Sequence, residues 1–246
     1  GYMERAGVPV PAVGHAIALA AACLGLWIGA HWRQRLPALM FQRALYSVFI
    51  ALGALMLARA LDFSALTEGA FDISYAAMDK IWYFDGSMKT MPSEADIKKS
   101  VAKVGYRNIE LDSAACTIFL KLEGMKIGFG ATGKGYAADK GRELMEAKGV
   151  KAGIVNASGD MTTWGTKPNG KPWNVGITNP FDEEKSIAII PLKRDAVTTS
   201  GSYEKFVEFN GKRYAHIINP VTGYPATGLI SVTIIGPNAE MANGFS

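Results

Sequence analysis

The chain has 246 residues, of which 49% are hydrophobic and 20% charged, and a net charge of +4. A chain of this length and composition can bury a large core, which excludes a disordered chain, a collagen and a disulfide scaffold. The basic excess lies in residues 1–61, which hold five arginines, no lysine and one acid, whereas residues 62–246 balance 21 basic against 21 acidic residues. Because the folded part carries no basic excess, the composition gives no support to nucleic-acid binding.

Residues 1–61 form an apolar, basic segment that we predict to be separate from the folded domain. Residues 12–30 are long enough to cross a bilayer of about 30 Å, and residues 45–58 are marginal. A membrane anchor or hairpin is one interpretation, with the basic link His31–Arg35 on the cytoplasmic side. Ala20–Cys23 loosely resembles a lipoprotein cleavage box, although the apolar run continues beyond it. An out-of-frame translation of GC-rich DNA is the other interpretation, because it gives the same lysine-free composition.

Residues 62–246 are predicted to form an α+β domain. One helix is predicted to end at Leu66, a second to run from Pro92 to about Val104 with Ser93 as its N-cap, and a third to run from Tyr136 to Lys148. Strands are predicted, in chain order, at 108–111, 117–122, 152–156, 174–178, 187–192, 196–199, 205–209, 212–218 and 230–235, with a hairpin turn at Asn210-Gly211. This pattern favours mixed, largely antiparallel sheets with flanking helices over a regular βαβ array.

A glycine-rich loop, Gly128–Gly135, opens the third helix. Its first six residues match the G-x-G-x-x-G pattern of dinucleotide-binding turns, but no acid ends the next strand about 20 residues further on. The loop also lacks the hydroxyl of a phosphate loop, because residue 135 is glycine. A structural turn would explain the glycines, while small residues and Lys134 at a helix N-terminus suit an anionic group.

Six motifs follow one another along the folded part: Gly69–Asp72, Gly133–Asp139, Asn156–Asp160, Pro172–Ile177, Thr199–Tyr203 and His216–Gly223. In this order they closely resemble the ApbE family of bacterial FAD:protein FMN transferases. The resemblance implies an ApbE/T-fold-like α+β domain that uses FAD and Mg²⁺ to attach FMN to a Thr or Ser hydroxyl of an acceptor protein, with release of AMP. It also implies a place on the periplasmic side of the bacterial inner membrane, and an acceptor in a membrane redox complex or a related flavoprotein.

The resemblance also assigns roles to individual residues. It implies catalytic roles for four of them, with Lys134 neutralising the pyrophosphate and His216 positioning or deprotonating the acceptor hydroxyl. The implied catalytic residues are His216, Lys134, Thr199 and Ser200. The residues implied to contact the flavin nucleotide are Ala70, Phe71, Asp72, Gly128, Lys134, Gly201, Tyr203, His216 and Ile217. The implied metal ligands are the carbonyl of Ala131 and the side chain of Asn243.

Several of these residues also fit a purely structural role. Asp72 fits a turn carboxylate, Lys134 a solvated lysine and His216 a strand histidine bonded to backbone. For Asp139 a structural partnership within its helix is the favoured interpretation. The two tryptophans in this region, Trp164 and Trp173, are expected in the core rather than against a flavin.

Departures from the family pattern shape the final prediction. Gly128 and Asn219 stand where the family often has Asp, and Asn243 stands where it has an acid. The Met-Gly-Thr strand that should precede Gly69 is not recognisable. We therefore predict a truncated or frame-disrupted transferase domain over residues 62–246. Hydrolysis of FAD to FMN and AMP, and flavin binding without catalysis, are the alternatives.

Overall fold

The structure is a computed structural model that describes residues 37–112, 114–203 and 205–246, without the side chain of Glu183. The chain divides into two compact units, Gly1–Leu55 and Met56–Ser246. The predicted apolar run at residues 12–30, the basic link and the cleavage-box cysteine Cys23 lie outside the described residues.

Helix α1, Ala38–Leu66, contains the second predicted apolar run and extends it at both ends. In the described part of the chain it is the one helix long and apolar enough to cross a membrane, judged by length and composition alone. Up to Leu55 most of its large apolar side chains are exposed, whereas Leu57, Ala60 and Ser64 are fully buried. The buried residues recur every three to four positions, so the last part of α1 is an amphipathic core helix of the second unit. The predicted helix end at Leu66 is confirmed.

In its described residues, the second unit adds three α-helices, ten strands and two short 3₁₀ helices. The α-helices are α2 (Glu94–Ser100), α3 (Gly133–Ala147) and α4 (Ala239–Gly244). The strands are β1 (Ile109–Asp112), β2 (Thr117–Leu120), β3 (Gly153–Ala157), β4 (Asp160–Trp164), β5 (Trp173–Asn179), β6 (Asp182–Leu192), β7 (Ala196–Gly201), β8 (Phe206–Phe209), β9 (Lys212–Ala215) and β10 (Ser231–Gly236). The 3₁₀ helices are Ile73–Ala77 and Tyr106–Asn108.

Four sheets, all with antiparallel pairing, organise the second unit and confirm the predicted α+β class. The central sheet has the strand order β10-β7-β4-β3, and the hairpins β1-β2, β5-β6 and β8-β9 form two-stranded sheets. Helices α3 and α4 cover one face of the central sheet, where Ala138, Ala196 and Ala239 are buried together. The β5-β6 hairpin covers the other face through Val175 and Leu192.

The predicted helix α2 is shorter than expected. Ser93 caps it by accepting a hydrogen bond from the Asp96 amide at 3.2 Å, as predicted. The helix ends at Ser100 rather than at about Val104, because Val104 leaves the helical line to pack against the cluster of Leu57 and Ile73. Tertiary packing thus overrides a local helical preference.

Two tight turns set the hairpins that matter for the site. The predicted Asn210-Gly211 turn is confirmed, and both residues adopt the positive φ that a two-residue hairpin turn requires. A second turn of this kind was not predicted: Ser158 and Gly159, at φ of 56° and 99°, connect β3 to β4. The unpredicted turn places Asp160 at the first position of β4.

Candidate functional site

A cavity of about 490 Å³ lies in the second unit, at the N-terminal end of α3. It gathers residues from segments that are far apart in sequence. The lining residues that the sequence singled out are Ala70, Phe71, Asp72, Ala131, Lys134, Ser200, His216, Ile217 and Asn243. Most of the predicted site is therefore brought together by the fold.

The glycines of the loop serve close packing in the structure. A Cβ atom on Gly128 would lie 2.7 Å from the Ala76 side chain, and one on Gly130 would lie 2.6 Å from the Tyr75 hydroxyl. A Cβ atom on Gly135 would lie 2.4 Å from the Ala239 carbonyl, so this glycine lets α4 approach α3. These contacts support the structural interpretation of the loop, and Gly128 does not line the cavity.

Lys134 stands in the first turn of α3 and lines the cavity. Its Nζ lies 3.8 Å from Oδ1 of Asp160, and its side chain is 47% exposed. The free amides at a helix N-terminus and an ammonium group both favour an anion. This end of α3 therefore has the chemistry to bind a phosphate group.

Asp160 lies beside Lys134 and is only 2% exposed. Its Oδ2 accepts a hydrogen bond of 2.6 Å from Nδ2 of Asn243, which is on α4. Burial raises the pKa of the Asp160 carboxyl, and the positive charge of Lys134 and the Asn243 hydrogen bond oppose that rise. The carboxylate thus links β4 to the first turn of α3 and to α4.

Helix α4 is positioned by two further buried carboxyl groups. Asp139, on α3, accepts hydrogen bonds of 2.9 Å from the amides of Ala239 and Glu240, so its role is structural but its partners lie on α4 rather than within its own helix. Glu240 forms an ion pair with Arg59 of α1. Burial raises the pKa of the Glu240 carboxyl, and the nearby Arg59 charge opposes this. Asn243 is carried into the cavity wall by this arrangement.

His216 lines the cavity from the segment that follows β9. Its Nδ1 lies 3.2 Å from the Lys205 carbonyl oxygen, and its ring meets the Phe84 ring edge-on at a centroid distance of 6.4 Å. A carbonyl oxygen can only accept, so Nδ1 is the protonated nitrogen and Nε2 of the neutral ring is an acceptor. His216 is therefore bonded to the backbone, as its structural interpretation expected, and it also lines the cavity.

Asp72 forms part of the cavity wall and is also a turn carboxylate. Its Oδ1 accepts from the amide and hydroxyl of Ser74 at 2.8 and 2.6 Å, and its Oδ2 accepts from the Tyr106 amide at 2.8 Å. Oδ1 therefore caps the adjacent 3₁₀ helix Ile73–Ala77, and Oδ2 holds the start of the second 3₁₀ helix, Tyr106–Asn108. Its neighbours Ala70 and Phe71 line the cavity beside it.

The Thr199–Tyr203 motif contributes only Ser200 to the cavity lining. Thr199 lies on the opposite face of β7, because side chains alternate along a strand, and its hydroxyl is 2.9 Å from that of Thr233 on β10. Gly201 instead makes room for Tyr203, whose ring would lie 2.5 Å from a Cβ atom there. The structure thus corrects the expectation that Thr199, Gly201 and Tyr203 line the cavity.

Several residues of the cavity were not predicted from the sequence. Tyr75 was missed because its 3₁₀ helix shows no periodic signal, and Ser246 because α4 was not predicted. Ser246 Oγ lies 2.9 Å from Ser200 Oγ, so two hydroxyl groups meet in the wall. The sequence signal for Tyr75 is the glycine at position 130, since a Cβ atom there would lie 2.6 Å from the Tyr75 hydroxyl.

Trp164 belongs to the core, as expected, whereas Trp173 is only partly buried. Trp164 is 3% exposed and donates its indole N–H to the Val150 carbonyl, and Trp173 donates to the Trp164 carbonyl. Neither lines the cavity.

The residues present fit a magnesium ion that takes much of its coordination from phosphate and water. The two expected ligand positions, Ala131 and Asn243, line the same cavity. Nδ2 of Asn243 donates to Asp160. The amide oxygen, which is the atom that could bind a cation, is therefore not used in that hydrogen bond. No three His, Cys, Asp or Glu side chains gather into a metal-binding group within the described ranges. Oxygen donors with few carboxylates are typical of magnesium sites completed by a substrate phosphate.

Comparison with known proteins places this chain and its fold in a family. The model of the ApbE family matches residues 52–246. The FAD:protein FMN transferase of Salmonella typhimurium is 35% identical over 192 residues, which are 76% of this chain and 55% of that protein. The FAD:protein FMN transferase of Treponema pallidum is 33% identical over 206 residues, covering 78% of this chain and 57% of that protein.

Solved structures give the same result. An ApbE protein of Thermotoga maritima superposes with a TM-score of 0.69 and 37% identity, over 77% of this chain and 62% of that chain. The flavinyl transferase ApbE of Pseudomonas stutzeri, in its apo form, superposes with a TM-score of 0.69 and 29% identity, over 79% of this chain and 61% of that chain. The present chain thus spans little more than half of the length of the curated relatives cited here.

Proposed function

The chain belongs to the ApbE family, and we propose on that basis that it transfers FMN from FAD to a Thr or Ser hydroxyl of an acceptor protein, with release of AMP. The relatives named FAD:protein FMN transferase support the reaction class. The observation that carries the proposal is the meeting of Lys134, His216 and Asn243 in one cavity. Those residues supply a cation, a base and an oxygen donor for phosphoryl transfer.

Phosphoryl transfer depends on positioning and charge neutralisation more than on covalent chemistry by the protein. Lys134 binds the pyrophosphate, together with amides of the first turn of α3 other than that of Gly133, which donates to the Phe129 carbonyl oxygen. A Mg²⁺ ion bound through Ala131 and Asn243 would supply further neutralisation of the phosphate charge. Ala70, Phe71 and Ile217 form apolar cavity wall against which the nucleotide can pack.

His216 is the proton acceptor in this proposal. The acceptor hydroxyl forms a bond to the phosphorus of the FMN half, the phosphoanhydride bond to the AMP half breaks, and AMP leaves. The hydroxyl proton passes to Nε2 of His216, which is the acceptor nitrogen of the neutral ring when Nδ1 donates to the Lys205 carbonyl. The contact with Phe84 holds the imidazole ring in that orientation.

The proposal includes a membrane location at the periplasmic side of the inner membrane, and an acceptor in a membrane redox complex or a related flavoprotein. Its support is the exposed apolar surface of α1 up to Leu55, where Val48, Phe49 and Ile50 are 58–71% exposed. Residues 38–55 of a helix span about 27 Å, close to the thickness of a hydrocarbon core. Lysine at Phe49 and Ile50 should abolish co-flotation of the chain with lipid vesicles. Unchanged flotation would count against α1 as the anchor.

The reaction is tested by incubating the full chain with FAD, Mg²⁺ and a purified acceptor domain. Flavin fluorescence on the acceptor after denaturing electrophoresis supports transfer. FMN and AMP without a labelled acceptor would instead support FAD hydrolysis, and FAD recovered intact would support binding without catalysis. Each outcome selects one of the three functions.

Lys134→Ala tests the site directly. Loss of this cation should lower kcat/KM for FAD by about 100-fold, the usual effect of removing one charge-stabilising group. Lys140→Ala is the matched control, because Lys140 lies on the same helix but pairs with Glu143 outside the cavity. Near-normal turnover by Lys134→Ala would remove this lysine from the site.

A further inference from the structure

We propose that Asp160 is a positioning residue that holds Lys134 and Asn243 in the geometry that the reaction needs; this rests on the proposed function. Asp160 does not line the cavity and is 2% exposed, so it does not touch the substrate. Its effect on the reaction passes through the two cavity residues that it contacts.

The contacts divide the carboxylate between two helices. Oδ2 accepts the 2.6 Å hydrogen bond from Asn243 of α4, and Oδ1 lies 3.8 Å from the Lys134 ammonium of α3. The Asn243 bond is short and directional, so it sets which branch of the amide faces the carboxylate and which is left for a cation. The contact with Lys134 is longer, and the Lys134 side chain is half exposed. Asp160 can therefore orient the ammonium group while leaving some of its N–H donors available to a ligand.

The chemistry of the surroundings explains why a charge is retained there. An ionised carboxylate is costly to bury unless it is paired and hydrogen-bonded. The neighbouring hydroxyls of Thr162 and Thr198 lie on the same face of the central sheet and have no hydrogen-bond partner among the described residues. Lys134 and Asn243 are therefore the groups that compensate the Asp160 charge.

Asp139 offers the contrast that separates positioning from simple support. It is also a buried carboxyl group that contacts α4, but it bonds the backbone amides of Ala239 and Glu240. Its role is to hold the helix. Asp160 bonds the side chain of Asn243, which lines the cavity.

Asp160→Asn should therefore separate binding from turnover. Removal of the negative charge makes the site more positive, so the Kd for FAD should stay within about threefold of wild type or fall. The displacement of Lys134 and Asn243 should lower kcat by about 10–100-fold, because small errors of position have large effects on rate. Asp139→Asn is the control. It should lower the melting temperature without lowering kcat more than it weakens FAD binding. Parallel losses of FAD affinity and kcat in Asp160→Asn would overturn the proposal.

A double-mutant cycle with Lys134→Ala gives a second measurement. If Asp160 acts partly through Lys134, then Asp160→Asn should lower kcat by a smaller factor once Lys134 is absent, and the remaining effect is the part that passes through Asn243. An effect that is equally large in both backgrounds would overturn the proposal. This comparison holds even when both variants are somewhat less stable.

A reciprocal exchange covers the case in which Asp160→Asn does not fold. The double variant Asp160→Asn with Asn243→Asp restores an amide–carboxylate pair with the roles reversed. It should recover most of the melting temperature lost by Asp160→Asn, because the bond between the two positions is restored. Failure to recover it would overturn the pairing of Asp160 with Asn243.

A thermal-unfolding cycle of Asp160→Asn and Asn243→Ala distinguishes failure of this proposal from failure of the proposed function. If the full wild-type chain neither quenches FAD fluorescence on titration nor turns FAD over, the proposed function fails. The unfolding cycle still tests the contact between Asp160 and Asn243. Non-additive losses of melting temperature support this contact, and additive losses overturn it.

Discussion

The two faces of the central sheet differ in what they bury. The face under α3 and α4 carries Asp160, Thr162 and Thr198, all at most 2% exposed. The face under the β5-β6 hairpin carries Met161 and Val197, which pack with the apolar residues of that hairpin. Alternation along β4 and β7 sends neighbouring residues to opposite faces.

This difference shows how one sheet serves both stability and function. The apolar face gains free energy by removing hydrophobic surface from water. The polar face leaves two hydroxyls without partners among the residues that the structure describes, and it holds a buried carboxylate; both features are costly. The cavity opens on this second face, so the polar residues are retained where the candidate chemistry lies. Four changes test the comparison, from the largest expected effect to the smallest.

Gly135→Ala should break the helix-covered face. The new methyl group would lie 2.4 Å from the Ala239 carbonyl oxygen, so α3 and α4 would have to separate. We expect a loss of about 3 kcal/mol in the free energy of unfolding, at the upper end for overpacking. Gly133→Ala is the control, because its nearest neighbour is 3.9 Å away and alanine favours a helix. Equal denaturant midpoints for the two variants would contradict the close approach.

Val197→Ala should weaken the hairpin-covered face. Val197 is 1% exposed and packs against Val175 and Leu192, so truncation leaves a small cavity. We expect a loss of about 2 kcal/mol in the free energy of unfolding, with FAD affinity unchanged. Denaturant unfolding and FAD titration measure the two quantities. A large loss of FAD affinity would show that the two faces are not separable in this way.

The pH dependence of stability should report the buried Glu240 under α4. Burial raises its pKa above the ordinary value of 4.5, so between that value and the raised pKa the folded state binds more protons than the unfolded state. The free energy of unfolding contributed by this group therefore falls as the pH rises through that window, and stays lower above it. The wild-type curve minus the Glu240→Gln curve isolates the effect. A difference that rises with pH would mean that attraction to Arg59 outweighs burial.

Thr198→Val should have the smallest effect and the most informative sign. The Thr198 hydroxyl is buried without a hydrogen-bond partner among the described residues, so an isosteric methyl group removes a desolvated polar atom. We expect a neutral result or a gain of up to about 1 kcal/mol in the free energy of unfolding. Thr163→Val, on the other face, is the matched control, because its hydroxyl donates to the Asp195 carbonyl. A clear loss at Thr198 would point to a buried water bridge.

Local sequence patterns predicted much of the fold. The N-cap at Ser93 and the Asn210-Gly211 hairpin depend on residues that are close along the chain, and both were predicted correctly. Strand β4 and helix α4 were missed. β4 combines polar and apolar residues because its two faces have opposite surroundings, and α4 is short and positioned by Asp139 from a distant helix.

The sequence by itself determined which residue types are available and, through six ordered motifs, the family to which the chain belongs. Only the tertiary structure decided which members of a motif reach the cavity. Ser200 lines it and Thr199 does not, because adjacent strand residues face opposite sides. Only the tertiary structure placed Asp160 between Lys134 and Asn243, because that contact joins a strand to two helices that local patterns cannot bring together.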